Sequence, residues 1–216
     1  CMVSLQSNAG IGAIEESKMV SVKSETKVVE SYIRDPRVKP LKDIFNMELS
    51  REKWLLENLI PSGALSACVA PSDIGKSIFA RQVAVSIALG RETMVGQKLL
   101  PTHNRSIYVS TEDMDMDWKE KLEMYPLTEE EKLRLGENMV LITNVSFNPD
   151  LVKLLNHELK YNPADLVVID VFSDVFDADI NSSIQVRKFL HPYKKMAAEY
   201  GTSFLFIHHV SKKGES

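Results

Sequence analysis

Residues 70–77 combine the residue types that phosphate binding requires. They read Ala-Pro-Ser-Asp-Ile-Gly-Lys-Ser, and the apolar runs 64–69 and 78–89 on either side predict a strand followed by a buried helix. In such a loop, backbone N–H groups converge on a phosphate at the helix N-terminus. Lys76, as a surface charge of the loop, would reach the β- and γ-phosphates, and the Ser77 hydroxyl would ligate Mg²⁺. The segment therefore predicts a nucleotide-binding P-loop.

The first position of this loop departs from the usual pattern. The pattern G-x-x-x-x-G-K-[ST] begins with glycine, whereas this chain has Ala70. The alternative is a chance Gly-Lys-Ser between two apolar runs, and the acidic residues downstream argue against it. The predicted ATP-binding residues are Ala70, Pro71, Ser72, Asp73, Ile74, Gly75, Lys76, Ser77 and Ile78.

Two further apolar strands end in carboxylates. Residues 166–170 read Leu-Val-Val-Ile-Asp, a Walker B pattern in which Asp170 would support, usually through water, the Mg²⁺ that Ser77 contacts. An apolar strand can also end in an Asp that is merely solvated, and the P-loop upstream disfavours that alternative. The strand predicted over 106–111 delivers Glu112 to the same sheet edge, where it would polarise the attacking water.

The acidic residues that follow Glu112 have a simpler interpretation. Asp113, Asp115 and Asp117 are predicted to be solvated acids at the start of a helix, near the positive end of its dipole.

A histidine pair ends the last predicted strand, residues 203–208. A polar side chain at this strand end would lie beside the γ-phosphate and could report whether ATP or ADP is bound. Taken alone, His208 and His209 indicate metal binding or mere solvation. A dedicated zinc site is disfavoured, because only three other histidines and no nearby cysteine are available.

The elements that must position these residues alternate between strands and helices, including a strand predicted over 139–143. This alternation predicts an α/β fold with a mostly parallel sheet and helices on both faces. Thr128 and Glu131 form a capping box at a helix start. The last helix is predicted to begin at 182 or 183 and to end at Gly201, with a kink or restart at Pro192.

Composition sets loose bounds on this domain. The chain has 216 residues, of which 44% are hydrophobic, and no stretch approaches a membrane span. Two cysteines predict no disulfide framework and fit a reducing cytoplasm. The net charge of −4 gives no global attraction to nucleic acid, so any DNA contact must come from a local loop.

The chain is predicted to have three parts. Residues 1–39 are interpreted as a mobile tail, and 63–216 as the ATPase core. Residues 40–62 are interpreted as a docking arm, most simply a helix that covers a sheet edge. Cys1 stands where an initiator Met is expected, which indicates a fragment boundary.

The order and spacing of these motifs resemble those of the RecA/DnaB-like P-loop ATPases. Within them, the chain resembles the RepA-like branch of plasmid and phage replication helicases, a branch of the AAA-type ATPases. The resemblance covers about residues 40–216. It is carried by residues 54–61 (WLLENLIP), 88–91 (ALGR), 111–113 (TED), 168–170 (VID) and 208–212 (HHVSK).

This resemblance implies a RecA-like fold that uses ATP and Mg²⁺. Lys76 and Ser77 would bind phosphate and Mg²⁺, and Asp170 would support the metal. Glu112 would be the catalytic carboxylate, and His209 the γ-phosphate sensor.

The resemblance also implies that the sheet continues past the sensor strand, through a loop that contacts single-stranded DNA. Lys212 and Lys213 would belong to that loop, in which the chain ends, so that the C-terminal strands and the arginine finger are lacking. Strand 64–69 would then form an open edge. Without the arginine finger, hydrolysis by this chain alone is expected to be slow.

The leading functional hypothesis is a cytoplasmic ATP-hydrolysing ring motor that acts as a DNA helicase or its loader in replication of a mobile element. The resemblance implies a homo-oligomeric, hexameric ring. One alternative is a small-molecule P-loop kinase, which the lack of a visible Arg-rich lid segment disfavours. The other is a nucleotide-sensing regulatory or adaptor domain with negligible turnover.

Overall fold

The structure, a computed structural model, describes residues 38–47, 53–145 and 148–209. The chain divides into two compact units, Cys1–Glu48 and Leu49–Ser216. Residues 1–37 of the predicted tail lie outside the described part. The predicted site residues up to His209 all belong to the second unit.

The strands in chain order are β1 (Trp54–Leu56), β2 (Ile60–Pro61), β3 (Leu65–Ala70), β4 (Thr93–Met94), β5 (Gln97–Lys98), β6 (Ser106–Ser110), β7 (Met139–Ile142), β8 (Leu166–Asp170) and β9 (Ser203–His209). The helices are α1 (Leu41–Phe45), α2 (Lys76–Ala88), α3 (Asp115–Glu123), α4 (Glu129–Asn138), α5 (Asn148–Tyr161), α6 (Phe172–Val175) and α7 (Ser183–Tyr200). Across the described residues, no helix has the length and apolar character that crossing a membrane requires.

Five parallel strands form the central sheet of the second unit, in the order β3-β9-β8-β6-β7. Alternate residues of β9 face opposite sides, because successive side chains of a strand point to opposite faces. Phe204 and Phe206 join a buried cluster with α5, α6 and α7, whereas Leu205 and Ile207 join one with α2 and α3. This confirms the predicted α/β architecture with helices on both faces.

The P-loop strand lies at one edge of this sheet. Within the described residues, β3 is hydrogen-bonded to β9 alone, and the Val69 side chain is exposed. The expectation that this strand forms an edge is thus confirmed for the part of the chain that the structure describes.

The expectation that the docking arm, residues 40–62, is most simply a helix is wrong for residues 54–61, which contain two strands. Among the described residues of this segment, α1 is the only helix, and β1 and β2 pair as antiparallel strands. Leu55, Leu56 and Ile60 are buried in the cluster that contains α2. The Leu100 N–H donates to the Leu55 carbonyl, which ties β1 to the segment that follows β5. Leu55, Leu56 and Ile60 therefore contribute to the core of the second unit.

The helix boundaries follow the predicted caps. Thr128 and Glu131 form the capping box of α4: the Glu131 N–H donates to the Thr128 hydroxyl at 3.2 Å, and the Thr128 N–H donates to the Glu131 carboxylate at 3.0 Å. Helix α7 ends at Gly201, whose φ of 69° lies in the left-handed region that favours glycine. The predicted restart at Pro192 does not occur, because α7 continues through it.

Candidate functional site

The predicted P-loop lies at the junction of β3 and α2. Gly75, the residue before α2, has a φ of 89°, a left-handed conformation that glycine adopts without steric cost. Asp73 has a φ of 63°, and Asp is among the residues that tolerate this region. The first turn of α2 has no side-chain cap at Gly75, so its backbone N–H groups are available to an anion.

Lys76 is buried, with only 5% of its surface exposed, which corrects the expectation of a surface charge. Its Nζ donates to the carbonyl of Ala70 at 2.8 Å and to that of Pro71. Ala70 contributes a backbone oxygen to this contact, and alanine supplies that atom as well as glycine does. The departure from the usual first glycine is therefore compatible with a closed loop around the lysine.

Ser77 and Asp170 lie together, as the Mg²⁺ hypothesis requires. The Ser77 hydroxyl donates to Asp170 Oδ1 at 3.1 Å, and Asp170 is buried, with 7% of its surface exposed. Mg²⁺ prefers oxygen ligands about 2.1 Å away in octahedral geometry, in which neighbouring ligands are about 3 Å apart. These two oxygens therefore fit a Mg²⁺ site, with Asp170 acting directly or through water.

Tyr108, which the sequence did not single out, donates from its hydroxyl to Asp170 Oδ2 at 2.6 Å. Burial, followed by the negative charge of Asp170, raises the Tyr108 pKa far above its ordinary value. The hydroxyl therefore keeps its proton and remains a donor. Its only sequence signal is its place on β6, whose residues lie opposite those of β8 in register.

Glu112 follows β6 at the same sheet edge. The preceding residue, Thr111, donates its N–H to the Asp170 carbonyl at 2.8 Å, and its hydroxyl accepts from the Val171 N–H at 3.0 Å. Glu112 itself is exposed and makes no hydrogen bond or ion pair with the residues that the structure describes. The structure thus places the Glu112 carboxylate near Asp170, and Glu112 has no such partner among the described residues.

The other acids of this segment have structural partners. Asp113 forms an ion pair with Lys121, and Asp115 accepts from the Thr143 hydroxyl at 2.9 Å. Asp117 accepts from the backbone N–H of Met114 at 2.9 Å and so caps α3. Their predicted place at a helix start is confirmed for Asp115 and Asp117, which lie in the first turn of α3.

The two histidines occupy different environments. His209 lies opposite Ala70 in the parallel register, and its Nδ1 is 3.4 Å from the Ser72 hydroxyl of the P-loop. The His208 ring instead contacts the Phe172 ring edge-on, with 5.6 Å between centroids. Burial, then His209 and Lys76, lowers the pKa of His208. His209 therefore lies within hydrogen-bond distance of a P-loop side chain, whereas His208 packs on Phe172.

The roles predicted for Ile74, Ile78, Lys212 and Lys213 stay predictions. Ile74 and Ile78 are exposed at the loop and at the start of α2. Lys212 and Lys213 lie outside the described residues, so their contact with DNA stays a prediction.

A cavity of about 640 Å³ lies apart from this site, between α3 and α4 and against β7. Its lining includes Trp118, Leu122 and Leu135 but not the P-loop, Glu112 or Asp170. The candidate chemistry therefore belongs to the open carboxyl edge of the sheet and not to this cavity.

Comparison with protein families gives one match that covers most of the chain. The family described as "AAA domain" matches residues 34–215. The matched span contains Lys76, Glu112, Asp170 and His209, together with every strand of the central sheet.

Proposed function

The chain belongs to the AAA domain family of P-loop ATPases, and from this premise we propose that it binds and hydrolyses ATP with Mg²⁺ at the carboxyl edge of its sheet. The hydrogen bond between Ser77 and Asp170 carries the proposal. It places a P-loop hydroxyl against a buried carboxylate from a different strand, which is the pair of oxygen groups that a nucleotide-bound Mg²⁺ needs.

Phosphate binding uses Lys76 and the uncapped start of α2. In the structure, the Lys76 ammonium is held by two loop carbonyls. A phosphate oxygen is a stronger acceptor for an ammonium than a neutral carbonyl, because both partners are then charged. We therefore expect Lys76 to exchange these carbonyls for the β- and γ-phosphates when ATP binds, while the N–H groups of the first turn hold the β-phosphate.

Hydrolysis requires a group that orients water near the γ-phosphate. Glu112 supplies a carboxylate that pairs with no cation among the described residues, unlike Asp113, which pairs with Lys121. Bound Mg²⁺ would neutralise charge that develops on the phosphate oxygens. His209, next to Ser72, would register the presence of the γ-phosphate and transmit it along β9.

The more specific role that we propose is that of a DNA helicase or related motor, of the RepA-like branch, in a homo-oligomeric and typically hexameric ring. Support comes from the order of the motifs and from the position of the Lys212-Lys213 pair three residues after His209 in the chain. A nucleotide change sensed at His209 would then reach a basic loop that binds the phosphates of single-stranded DNA.

ATP turnover measured with and without single-stranded DNA tests this proposal. We expect DNA to stimulate turnover, and the double variant Lys212→Ala/Lys213→Ala to lose most of the stimulation. The matched control is Lys194→Ala/Lys195→Ala, an exposed lysine pair on α7, which should keep it.

The alternatives give other results in the same assay. ATP binding without turnover under both conditions would favour a nucleotide-sensing regulator. Turnover that requires a small-molecule acceptor would favour a kinase. Failure of the parent protein to bind ATP would overturn the ATPase proposal itself.

A further inference from the structure

The Asp170 carboxylate is held at both oxygens by donors from two different elements. Ser77 of α2 donates to Oδ1 at 3.1 Å, and Tyr108 of β6 donates to Oδ2 at 2.6 Å. Mg²⁺ binding requires Ser77 to turn a lone pair toward the metal, whereas the Tyr108 bond involves the other carboxylate oxygen. The Tyr108 bond can therefore persist when metal is bound.

The Tyr108 hydroxyl has one proton to donate, and the geometry shows that it donates this proton to Asp170 in a hydrogen bond. The hydroxyl also lies 3.5 Å from the Ser77 carbonyl, but the Asp170 oxygen is closer and charged. Hydrogen bonds to ionised acceptors are shorter and stronger than those to neutral ones. Because Tyr108 and Asp170 are both buried, water has little access to replace this bond.

The Tyr108 ring is itself fixed by packing. Its neighbour Trp118 lies edge-on, with 4.6 Å between ring centroids, and the Arg81 guanidinium lies 5.8 Å from the centroid of the Trp118 ring. All three side chains are buried. Arg81 is four residues after Ser77 on α2, so it lies on the same helix face one turn further along. This packing restricts movement of the Tyr108 ring and so keeps its hydroxyl near Asp170.

We propose that Tyr108 is a positioning residue for the Mg²⁺ site, which holds Asp170 so that Oδ1 remains directed at Ser77. The inference rests on the proposed function, because it concerns the affinity of that site for Mg²⁺. Groups that hydrogen-bond to metal ligands orient them, and loss of such a group commonly weakens metal binding about 10- to 100-fold.

The variant Tyr108→Phe isolates the hydroxyl, since it keeps the ring and its contact with Trp118. It is best made in protein that also carries Glu112→Gln, because that substitution is expected to suppress ATP turnover during the measurement. Calorimetry would record ATP affinity in EDTA and over a series of Mg²⁺ concentrations. We expect the Mg²⁺ concentration for half-maximal enhancement of ATP affinity to rise about tenfold or more, while affinity in EDTA changes less than about twofold.

Tyr193→Phe is the matched control. Tyr193 is also fully buried, but it belongs to the cluster on the opposite face of the sheet. Its variant should retain the parent Mg²⁺ dependence.

The possible outcomes separate this inference from the proposed function. If the parent protein shows no ATP binding that depends on Mg²⁺, the proposed function fails, and the inference with it. If the parent binds Mg²⁺ and ATP but folded Tyr108→Phe has the parent Mg²⁺ midpoint, the inference alone is overturned. An equal loss of affinity in EDTA and in Mg²⁺ would also overturn it, because Tyr108 would then support the loop and not the metal ligand.

A second variant covers the case in which Tyr108→Phe does not fold. Trp118→Phe leaves the hydroxyl in place but loosens the packing that holds it. We expect a smaller rise in the same Mg²⁺ midpoint, and an unchanged midpoint in this folded variant would count against the inference.

Discussion

Ser77 and Asp170 are 93 positions apart in the chain, yet the hydroxyl of one donates to the carboxylate of the other at 3.1 Å. Ser77 reaches this position because α2 starts directly after the P-loop, and Asp170 because β8 ends at the same edge of the sheet. Parallel strands bring their carboxyl ends to one edge, which is where ligands of open α/β sheets bind. The contact joins the two motifs on which nucleotide binding depends.

Lys76→Ala is expected to abolish tight ATP binding. Removal of a charged donor to phosphate should weaken affinity by about 100-fold, since each such hydrogen bond contributes about 1.5–3 kcal/mol. Calorimetry with ATP and Mg²⁺ would measure the change. Because Lys76 is buried against loop carbonyls, thermal unfolding without nucleotide must be compared as well.

Lys119→Ala, at an exposed position of α3, is the control for loss of a positive charge. Unchanged ATP affinity in folded Lys76→Ala would contradict the P-loop assignment.

Glu112→Gln should retain binding of ATP and Mg²⁺ but lose most of the turnover, by about 100-fold or more. The amide preserves the shape of the side chain and removes the charge that polarises water. Steady-state phosphate release, combined with ATP affinity, would distinguish the two effects.

Asp113→Asn is the matched control for this variant. Asp113 forms a partly exposed ion pair with Lys121, and such pairs contribute about 0–1 kcal/mol. Its turnover should stay near that of the parent. Parent-like turnover in Glu112→Gln would instead require another carboxylate to act on water.

His208 should make the free energy of unfolding depend on pH. Its pKa in the folded state is lowered by burial, then by His209 and Lys76, so the unfolded chain binds a proton at higher pH than the folded protein. The contribution of neutral His208 is complete above the unfolded pKa of about 6.5 and is lost as pH falls below it. Urea unfolding between pH 8 and 5 should show this loss.

His208→Gln removes the titrating group, so stability of this variant should fall less steeply over the same pH range. Parallel curves for the parent and the variant would show that His208 does not contribute to the pH dependence.

Asp165→Ala should destabilise the protein by about 2–4 kcal/mol, because it removes a buried carboxylate that accepts from three part-buried backbone N–H groups. The Asp165 carboxylate accepts from the backbone N–H groups of Thr102 at 2.6 Å, His103 at 3.0 Å and Arg105 at 3.2 Å. These bonds hold the segment that leads into β6. Urea unfolding would measure the loss, which is expected without a change in ATP affinity of the folded protein.

The surface variant Asp150→Ala provides the comparison. Asp150 is largely exposed and, within the described part of the chain, pairs only with Lys153 on its own helix, so its loss should change stability by about 0.5 kcal/mol or less. A similarly small effect of both variants would indicate that the Asp165 hydrogen bonds add little to the free energy of unfolding.

Features that depend on residues close together in the chain could be predicted from the sequence alone. The start and end of α7 follow from Ser182 and Gly201, and the capping box at Thr128 marks the start of α4. Lys76, Ser77 and Asp170 could be selected because each belongs to a short motif in which the chemistry dictates the residue type. Such signals are local, so they are visible in the linear chain.

Contacts between distant segments required the tertiary structure. The register of β6 against β8 places Tyr108 beside Asp170, and neither residue alone indicates that bond. The apolar residues near Leu55 suit a helix or a strand equally well, and their pairing with later residues decided for strands. Periodicity indicates which face of an element is buried, but the partner depends on strand order and register, which long-range packing determines.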